Sequence, residues 1–213
     1  IRVAGTGSSN ATIYIDTAIV KPVTMTLETG NNTVTTGSGP AAITITGAGN
    51  NTVATGPGAT IAVEAGASVT VAAAATGGNA VTVNSSGAAT VSVAGSGDNS
   101  VSTAGTGTAA VTVTGNGTLV VTGASARGAA ATTVLAGSTL RIGDGATAGT
   151  AYDGSISNGG TVRFSAPPGG ITYGGANQFA IGGSGAGGVA VDGGTVLFTR
   201  ANTYTGPTTV AAG

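Results

Sequence analysis

The sequence contains no cysteine, no histidine and no tryptophan. Without cysteine the chain has no disulfide scaffold, and such a chain suits secretion in an extended state through a narrow pore. Without histidine, the many serine and threonine hydroxyls lack the usual general base of nucleophilic catalysis. These absences argue against a disulfide-rich module and against a serine hydrolase.

Charge is also scarce, since 6% of the residues are charged and the net charge is −1. Nothing in such a chain attracts nucleic acid electrostatically. No apolar stretch reaches the roughly 18 residues of a membrane span. The first residues, 1–3, do not read as a signal peptide. We therefore expect no nucleic-acid partner and no membrane span within this chain.

The residues that are abundant are small and β-branched. The 213 residues include 41 glycines, and most of the hydrophobic 40% is alanine and valine. A disordered chain of this polarity would carry more charge and proline. No window keeps the apolar stripe of a helix free of glycine and β-branched runs. A thin core between strands is therefore predicted.

Short strands and glycine-containing turns alternate from residue 11 to about residue 122. Within each strand the period is two, with valine or isoleucine on one face and threonine or serine on the other, as in Ala80–Asn84. The predicted strand centres are Ile13 and Ile15, Met25 and Leu27, Val34, Ile43 and Ile45, Val53, Ile61 and Val63, Val69 and Val71, Val81 and Val83, Val91 and Val93, Val101, Val111 and Val113, and Leu119 and Val121.

The sequence also repeats over a longer interval than that of the single strands. The run Asn31–Val34 returns as Asn50–Val53, and Asn99 follows Asn79 at a similar interval. A unit of about 20 residues is the size of one coil of a parallel β-helix. Stacked asparagines would form a hydrogen-bonded ladder, although asparagine also simply tolerates turn geometry. The longer step from Asn51 to Asn79 predicts an insertion or an extra strand between them.

The composition changes beyond about residue 123. Six of the seven aromatic residues lie beyond residue 150, and Thr118, Thr139, Thr161 and Thr195 each open a similar strand, with the widest interval before Thr195. We expect one continuous solenoid in two parts, with short coils rich in glycine, threonine and valine in 1–130 and a different repeat in 131–213.

The segment Gly193–Val210 shows that second repeat most clearly. A glycine pair, a Thr-Val-Leu-Phe strand, Asn-Thr-Tyr-Thr-Gly and Thr-Thr-Val follow one another. This order resembles the autotransporter-associated β-strand repeat of secreted passenger domains. The segments 158–164 and 171–175 read as a degenerate copy. The resemblance is specific over residues 137–213 and rests on period and composition over 1–130.

The resemblance implies several properties of the chain. It implies a right-handed parallel β-helix with coils of about 20 residues. It also implies a location at the surface of a Gram-negative bacterium or outside the cell. Complete proteins of that family carry a signal peptide and a membrane barrel as well, so the chain is expected to be a fragment or a processed passenger segment.

Candidate chemical sites are few. The carboxylates are scattered, and Asp144, Asp153 and Asp192 each precede glycine, which is a turn signature. The glycine run 182–188 begins like a calcium-binding repeat but has Gly187 where aspartate belongs. The sequence therefore predicts no enzyme activity, no catalytic, cofactor-binding or metal-binding residues, and no cofactor.

Two surface features leave alternatives open. Tyr173 and Tyr204 could stack on sugars, or they could serve the core of the repeat. Thr-x-Thr pairs such as Thr33–Thr35 resemble the arrays of ice-binding β-helices, but many coils lack a pair, so the array is expected to be broken.

The leading prediction is an extracellular structural or adhesive β-helix that self-associates into fibres or mediates cell aggregation, as in a biofilm. Its partners would be further copies of itself, neighbouring cell surfaces, host surfaces and glycans. A glycan-binding or polysaccharide-active β-helix is the first alternative. An ice-binding or surface-binding threonine array is the second.

Overall fold

The computed structural model describes residues 2–3, 10–64, 67–73, 78–83, 88–94, 98–103, 108–122, 124–126, 131–174, 180–183 and 185–211. All regular structure in these residues is β-strand, and none of it is helix.

The strands are short and follow one another at close intervals. In chain order they are β1 (Arg2–Val3), β2 (Thr12–Tyr14), β3 (Val23–Leu27), β4 (Thr33–Thr35), β5 (Ala41–Ile45), β6 (Asn50–Thr55), β7 (Thr60–Val63), β8 (Ser68–Ala73), β9 (Ala80–Val83), β10 (Ala88–Val93), β11 (Asp98–Thr103), β12 (Thr108–Val113), β13 (Thr118–Val121), β14 (Ala124–Ala126), β15 (Thr132–Val134), β16 (Thr139–Ile142), β17 (Ala151–Asp153), β18 (Ile156–Asn158), β19 (Thr161–Ser165), β20 (Ile171–Tyr173), β21 (Ile181–Gly182), β22 (Gly188–Gly193), β23 (Val196–Phe198) and β24 (Thr208–Val210).

Every strand pairs in parallel with the equivalent strand of a neighbouring coil. One sheet, here called sheet A, has the order β1-β3-β5-β7-β9-β11-β13-β16-β19-β22-β24. A second, sheet B, has the order β2-β4-β6-β8-β10-β12-β15-β18-β21. The chain alternates between the two sheets, so it winds as a parallel β-solenoid. This confirms the predicted all-β fold class.

Side chains of the same kind stack in register along the solenoid. Met25, Ile43, Ile61 and Val81 form one inward column of sheet A, and all four are buried. Because burying a valine or isoleucine contributes about 1.5–3 kcal/mol, each coil is stabilised chiefly by covering its neighbours. The predicted strand centres all lie in strands, except Ile15, which directly follows β2 and is buried.

The coils have similar lengths in the first part of the chain, whereas one coil in the second part is clearly longer. Val23 pairs with Ala41 and Thr60 pairs with Ala80, so a coil takes about 20 residues there. In the second part Thr161 pairs with Gly188, so the chain covers a longer path before it returns to sheet A.

The predicted insertion or extra strand between Asn51 and Asn79 is wrong, because β7, β8 and β9 are regular members of the two sheets. Asn51 pairs with Val69 in sheet B, whereas Asn79 directly precedes β9 of sheet A. The longer step arises because the asparagines change from one corner of the coil to the other, while the coil length stays regular.

A third side of the coil appears in the second part of the chain. There β14 pairs with β17, and β20 pairs with β23, outside sheets A and B. Thr161 opens a strand of sheet A, but Thr195 directly precedes β23, which pairs with β20. The expectation of four equivalent threonine-led strands is therefore wrong for Thr195, and segment 158–164 takes a different place in the coil from segment 193–199.

Aromatic residues fill this wider part of the core. The Tyr152 and Tyr173 rings stack with centroids 6.2 Å apart, and Phe164 meets both Tyr173 and Phe198 edge-on. Such pairs add about 0.5–1.5 kcal/mol beyond their burial. The larger rings fill the extra cross-section that a third side encloses.

Turns between the coils stack almost in contact. A Cβ atom on Gly56 would overlap the carbonyl oxygen of Gly37 in the preceding coil. At Gly49 the backbone also has a φ of +141°, which residues with side chains rarely adopt. The high glycine content therefore follows from the close stacking of corners.

Candidate functional site

The acidic residues that the sequence singled out do not form a shared cleft. The Asp144 carboxylate accepts hydrogen bonds from the Ala146 and Thr147 amides at 2.9 and 2.7 Å and from the Thr147 hydroxyl at 2.6 Å. Asp144 thus closes its own exposed turn, as expected. Asp153 ends β17, and its side chain lies outside the described residues.

Asp192 corrects the expectation that it marks a turn, because it lies inside β22. Phe164 pairs with Val191, but the next residue, Ser165, pairs with Gly193. Asp192 is therefore the extra residue of a β-bulge. The bulge turns its side chain towards Arg163 and Ser165.

The two tyrosines have structural surroundings. Tyr173 is buried, and its hydroxyl donates to the Gly154 carbonyl at 2.8 Å. Tyr204 packs partly against the core, and its hydroxyl lies 2.6 Å from that of Thr208. These contacts favour the core role over stacking on sugars.

The asparagines form ladders along two corners. Asn32 Nδ2 donates to Asn51 Oδ1 at 2.9 Å, and Asn79 Nδ2 donates to Asn99 Oδ1 at 3.0 Å. All four are buried. The ladder interpretation is confirmed, and it assigns these amides to joining coils.

The most developed polar feature is a groove on the outer face of sheet A, here called the arginine groove. It has a volume of about 380 Å³ and is lined by Thr118, Thr139, Arg141, Arg163, Ser165 and Asp192. Three coils contribute a threonine at the same position, because Thr139 pairs with Thr118 on one side and with Thr161 on the other. In the same register, Arg141 pairs with Arg163. Two guanidinium side chains therefore project from equivalent positions of neighbouring coils.

An ion pair organises one side of the arginine groove. Arg163 donates to Asp192 in a bidentate arrangement, from Nη2 to Oδ1 at 2.8 Å and from Nε to Oδ2 at 3.1 Å. The Ser165 hydroxyl donates to Oδ2 at 3.0 Å. The side chains are 49% and 29% exposed, so the pair orients the groups more than it stabilises the fold.

The same contacts shift the titration of both groups. The hydrogen bonds from Arg163, then that from Ser165 and the positive charges of Arg163 and Arg141, lower the pKa of Asp192. The hydrogen bond to Asp192 and its negative charge raise the pKa of Arg163. Asp192 is therefore ionised at neutral pH, and two cations and one anion line the arginine groove.

Sequence reasoning missed this groove, although part of the signal is visible. Thr139-Leu140-Arg141-Ile142 and Thr161-Val162-Arg163-Phe164 share one pattern. Their spacing is one coil, so the two arginines were predictable neighbours. The third partner, Asp192, comes from a bulge, which has no comparable sequence signal.

Sheet B carries a second regular surface, here called the threonine file. Thr12, Thr33, Thr52, Thr70 and Thr90 pair in register across five successive coils, and all are exposed. Two residues further along the strand, β4 has Thr35, but the paired position in β6 has Ala54. The double array is broken, as expected, but the single file is continuous.

Within the described ranges, no group of three or more acidic, histidine or cysteine residues could hold a metal ion. The same part of the chain contains no helix that is long and apolar enough to cross a membrane.

Comparison with protein-family models, curated proteins and solved structures finds no match to this chain. The class that the structure defines is the parallel β-solenoid. The resemblance to autotransporter passengers stays a prediction from the sequence.

Proposed function

We propose that this chain is an extracellular structural segment of a bacterial surface or secreted protein, of the autotransporter passenger type, which adheres through weak contacts spread over its length. The carrying observation is a continuous stack of coils with almost no charge. Between residues 22 and 126 only Glu28, Glu64 and Asp98 are charged.

Low charge favours contact between copies because little repulsion keeps them apart. Thr52, Thr70 and Thr90, on the outer face of sheet B, are exposed and carry no charge. Repeated weak contacts along such a face add up through multivalency. Such contacts support self-association into fibres or aggregates without a preformed pocket.

Sedimentation velocity across the micromolar range tests the proposal. The chain is expected to form larger species as concentration rises, and Thr52→Lys with Thr90→Lys should suppress them by placing like charges on the contact face. Ala148→Lys, in an exposed loop, adds the same kind of charge elsewhere and serves as the control. A monomer at every concentration would count against self-association.

The threonine file favours a second candidate, binding to an ordered surface such as ice. Coils lie about 4.8 Å apart, so the file presents hydroxyl and methyl groups at a constant spacing. Thr52→Tyr and Thr70→Tyr should abolish inhibition of ice recrystallisation, because the rings interrupt the flat row. Thr60→Tyr, exposed on sheet A, is the matched control. A wild-type chain without inhibition removes this candidate.

A further inference from the structure

The exposed asparagines of this chain share a tripeptide that the stacking of the coils does not require. Asn10, Asn31, Asn50 and Asn116 are each followed two residues later by threonine, and all four are exposed. The pattern Asn-x-Thr, in which x is not proline, is the acceptor motif of N-linked glycosylation. We infer that these asparagines are acceptor sites for a sugar, which a glycosyltransferase transfers to Nδ2 from a donor activated by a diphosphate group.

The motif divides the described asparagines by their exposure. The buried ones all lack a serine or threonine two residues later, and they are Asn32, Asn51, Asn79, Asn99 and Asn158. In an extended chain, residues two apart share a face. Asn31 and Thr33 are accordingly exposed, whereas Asn32 between them is buried. A transferase therefore meets both side chains of the motif on one face of the folded coil.

Three of the four motifs lie at the same corner of successive coils. Thr33 pairs with Thr12 on one side and with Thr52 on the other, so the asparagines two residues earlier form a column. Neighbouring coils are about 4.8 Å apart. Asn116 lies elsewhere, in the turn between β12 and β13, with a φ of +65°. The motif therefore occurs on two separate parts of the surface.

The hydrogen bonds within the column leave the reactive atom free. The Asn31 amide donates to Asn10 Oδ1 at 3.1 Å, and the Asn50 amide donates to Asn31 Oδ1 at 2.8 Å. Among the described residues, none accepts a hydrogen bond from Nδ2 of these three asparagines. In the buried ladder, by contrast, Asn32 Nδ2 donates to Asn51 Oδ1. Joining coils therefore explains the oxygens of the column, but neither its nitrogens nor the threonines.

Transfer of the sugar exchanges one bond for another. Nδ2 attacks the anomeric carbon, a carbon–nitrogen bond forms, and the bond from that carbon to the diphosphate oxygen breaks. The diphosphate leaves with the electron pair, and Nδ2 gives one of its two protons to a base of the transferase. Nothing is oxidised or reduced. The donor is a nucleotide sugar or a polyprenyl-linked sugar, because both carry this leaving group.

Mass spectrometry of the folded chain tests the inference. One reaction contains UDP-glucose and a soluble asparagine glycosyltransferase, and a parallel reaction contains a polyprenyl diphosphate-linked saccharide and a membrane-bound transferase. Intact mass counts the sugars, and peptide mapping locates them. We expect sugars on the exposed asparagines of the motif and none on the buried ones, in the reaction whose donor is the right one. Synthetic peptides of residues 8–14 and 113–119 show that each transferase is active.

The threonine of the motif provides a matched pair of variants. Thr33→Val should remove the sugar from Asn31, whereas Thr33→Ser should keep it, because serine retains the hydroxyl that the motif requires. Sugars on Asn10 and Asn116 in the same molecules confirm that the transferase acts on each variant. A sugar on Asn31 that survives Thr33→Val would overturn the inference.

A folded chain that stays unmodified in both reactions, while the peptides are modified, would overturn it as well. The reactions are run at a dilution at which sedimentation shows a monomer. Their outcome is therefore independent of the proposed self-association.

Discussion

At Asp144, one exposed turn lowers the pKa of a carboxyl group without burial. The Thr147 hydroxyl contributes most, followed by the Thr147 and Ala146 amides, and the pKa falls from 3.8 to about 2. Hydrogen bonds to the ionised form produce this shift. Because the folded pKa is depressed, the turn's contribution to stability is present above the unfolded pKa and is lost as pH falls through about 2.

Replacing Thr147 tests this assignment. In Thr147→Val the largest contribution to the shift disappears, so the pKa of Asp144 should rise from about 2 towards 3.8. Carboxyl carbon NMR during an acid titration measures it. Thr195→Val, at an exposed position in another loop, should leave the Asp144 titration unchanged. An unaltered curve in Thr147→Val would show that the backbone amides alone set the pKa.

At the scale of an element, the asparagine ladders join neighbouring coils at their corners through buried hydrogen bonds. Asn79 accepts a hydrogen bond from the Ala59 amide at 2.9 Å and donates to Asn99 at 3.0 Å. Each bond therefore joins one coil to the next. The hydrogen bonds of a ladder fix the register between neighbouring coils, which columns of valine side chains alone would not fix.

Removing a buried asparagine of a ladder should cost more stability than removing an exposed asparagine that also bonds to the next coil. Asn79→Ala leaves the buried Ala59 amide without its acceptor, and such a loss typically costs about 1–3 kcal/mol. Asn31→Ala removes a 2.8 Å bond to the Asn50 amide, but both residues are exposed and water replaces the acceptor. Denaturant unfolding should show a clearly larger loss for Asn79→Ala. Similar losses in both variants would mean that burial does not set the cost of losing these hydrogen bonds.

At the scale of the whole molecule, the stability of the solenoid comes from the stacking of its coils. Each coil buries its apolar face only against other coils, so stability accumulates with the number of coils. The last described coil shows the converse, since Val210 is 73% exposed although its paired residue Val191 is buried.

Whole-molecule charge sets a pH dependence for the proposed self-association. The isoelectric point is about 5.0, and protonating the seven carboxylates would leave the six cations without compensation. Association measured by sedimentation should therefore be strongest near pH 5 and weaken towards about pH 3, where ordinary carboxyl groups become protonated. Association that is independent of pH would indicate contacts that net charge does not influence.

The sequence by itself determined the fold class and most strand positions. Alternating β-branched residues can form only half-buried strands, and a repeat of about 20 residues can bury them only by stacking. It also located both asparagine ladders, because a residue repeated once per coil meets its own copy. These properties are local or strictly periodic, and periodicity is what a single sequence displays.

Only the tertiary structure decided which elements share a sheet where the period changes. Between Asn51 and Asn79 the asparagines change from one corner of the coil to the other. The strand that follows Thr195 pairs with β20 on the third side of the coil, and not with the strand that Thr161 opens. Asp192 joins Arg163 from the next coil because a bulge adds one residue to β22. Coil lengths and bulges alter register without altering the local pattern, so the arginine groove exists only once the coils are stacked.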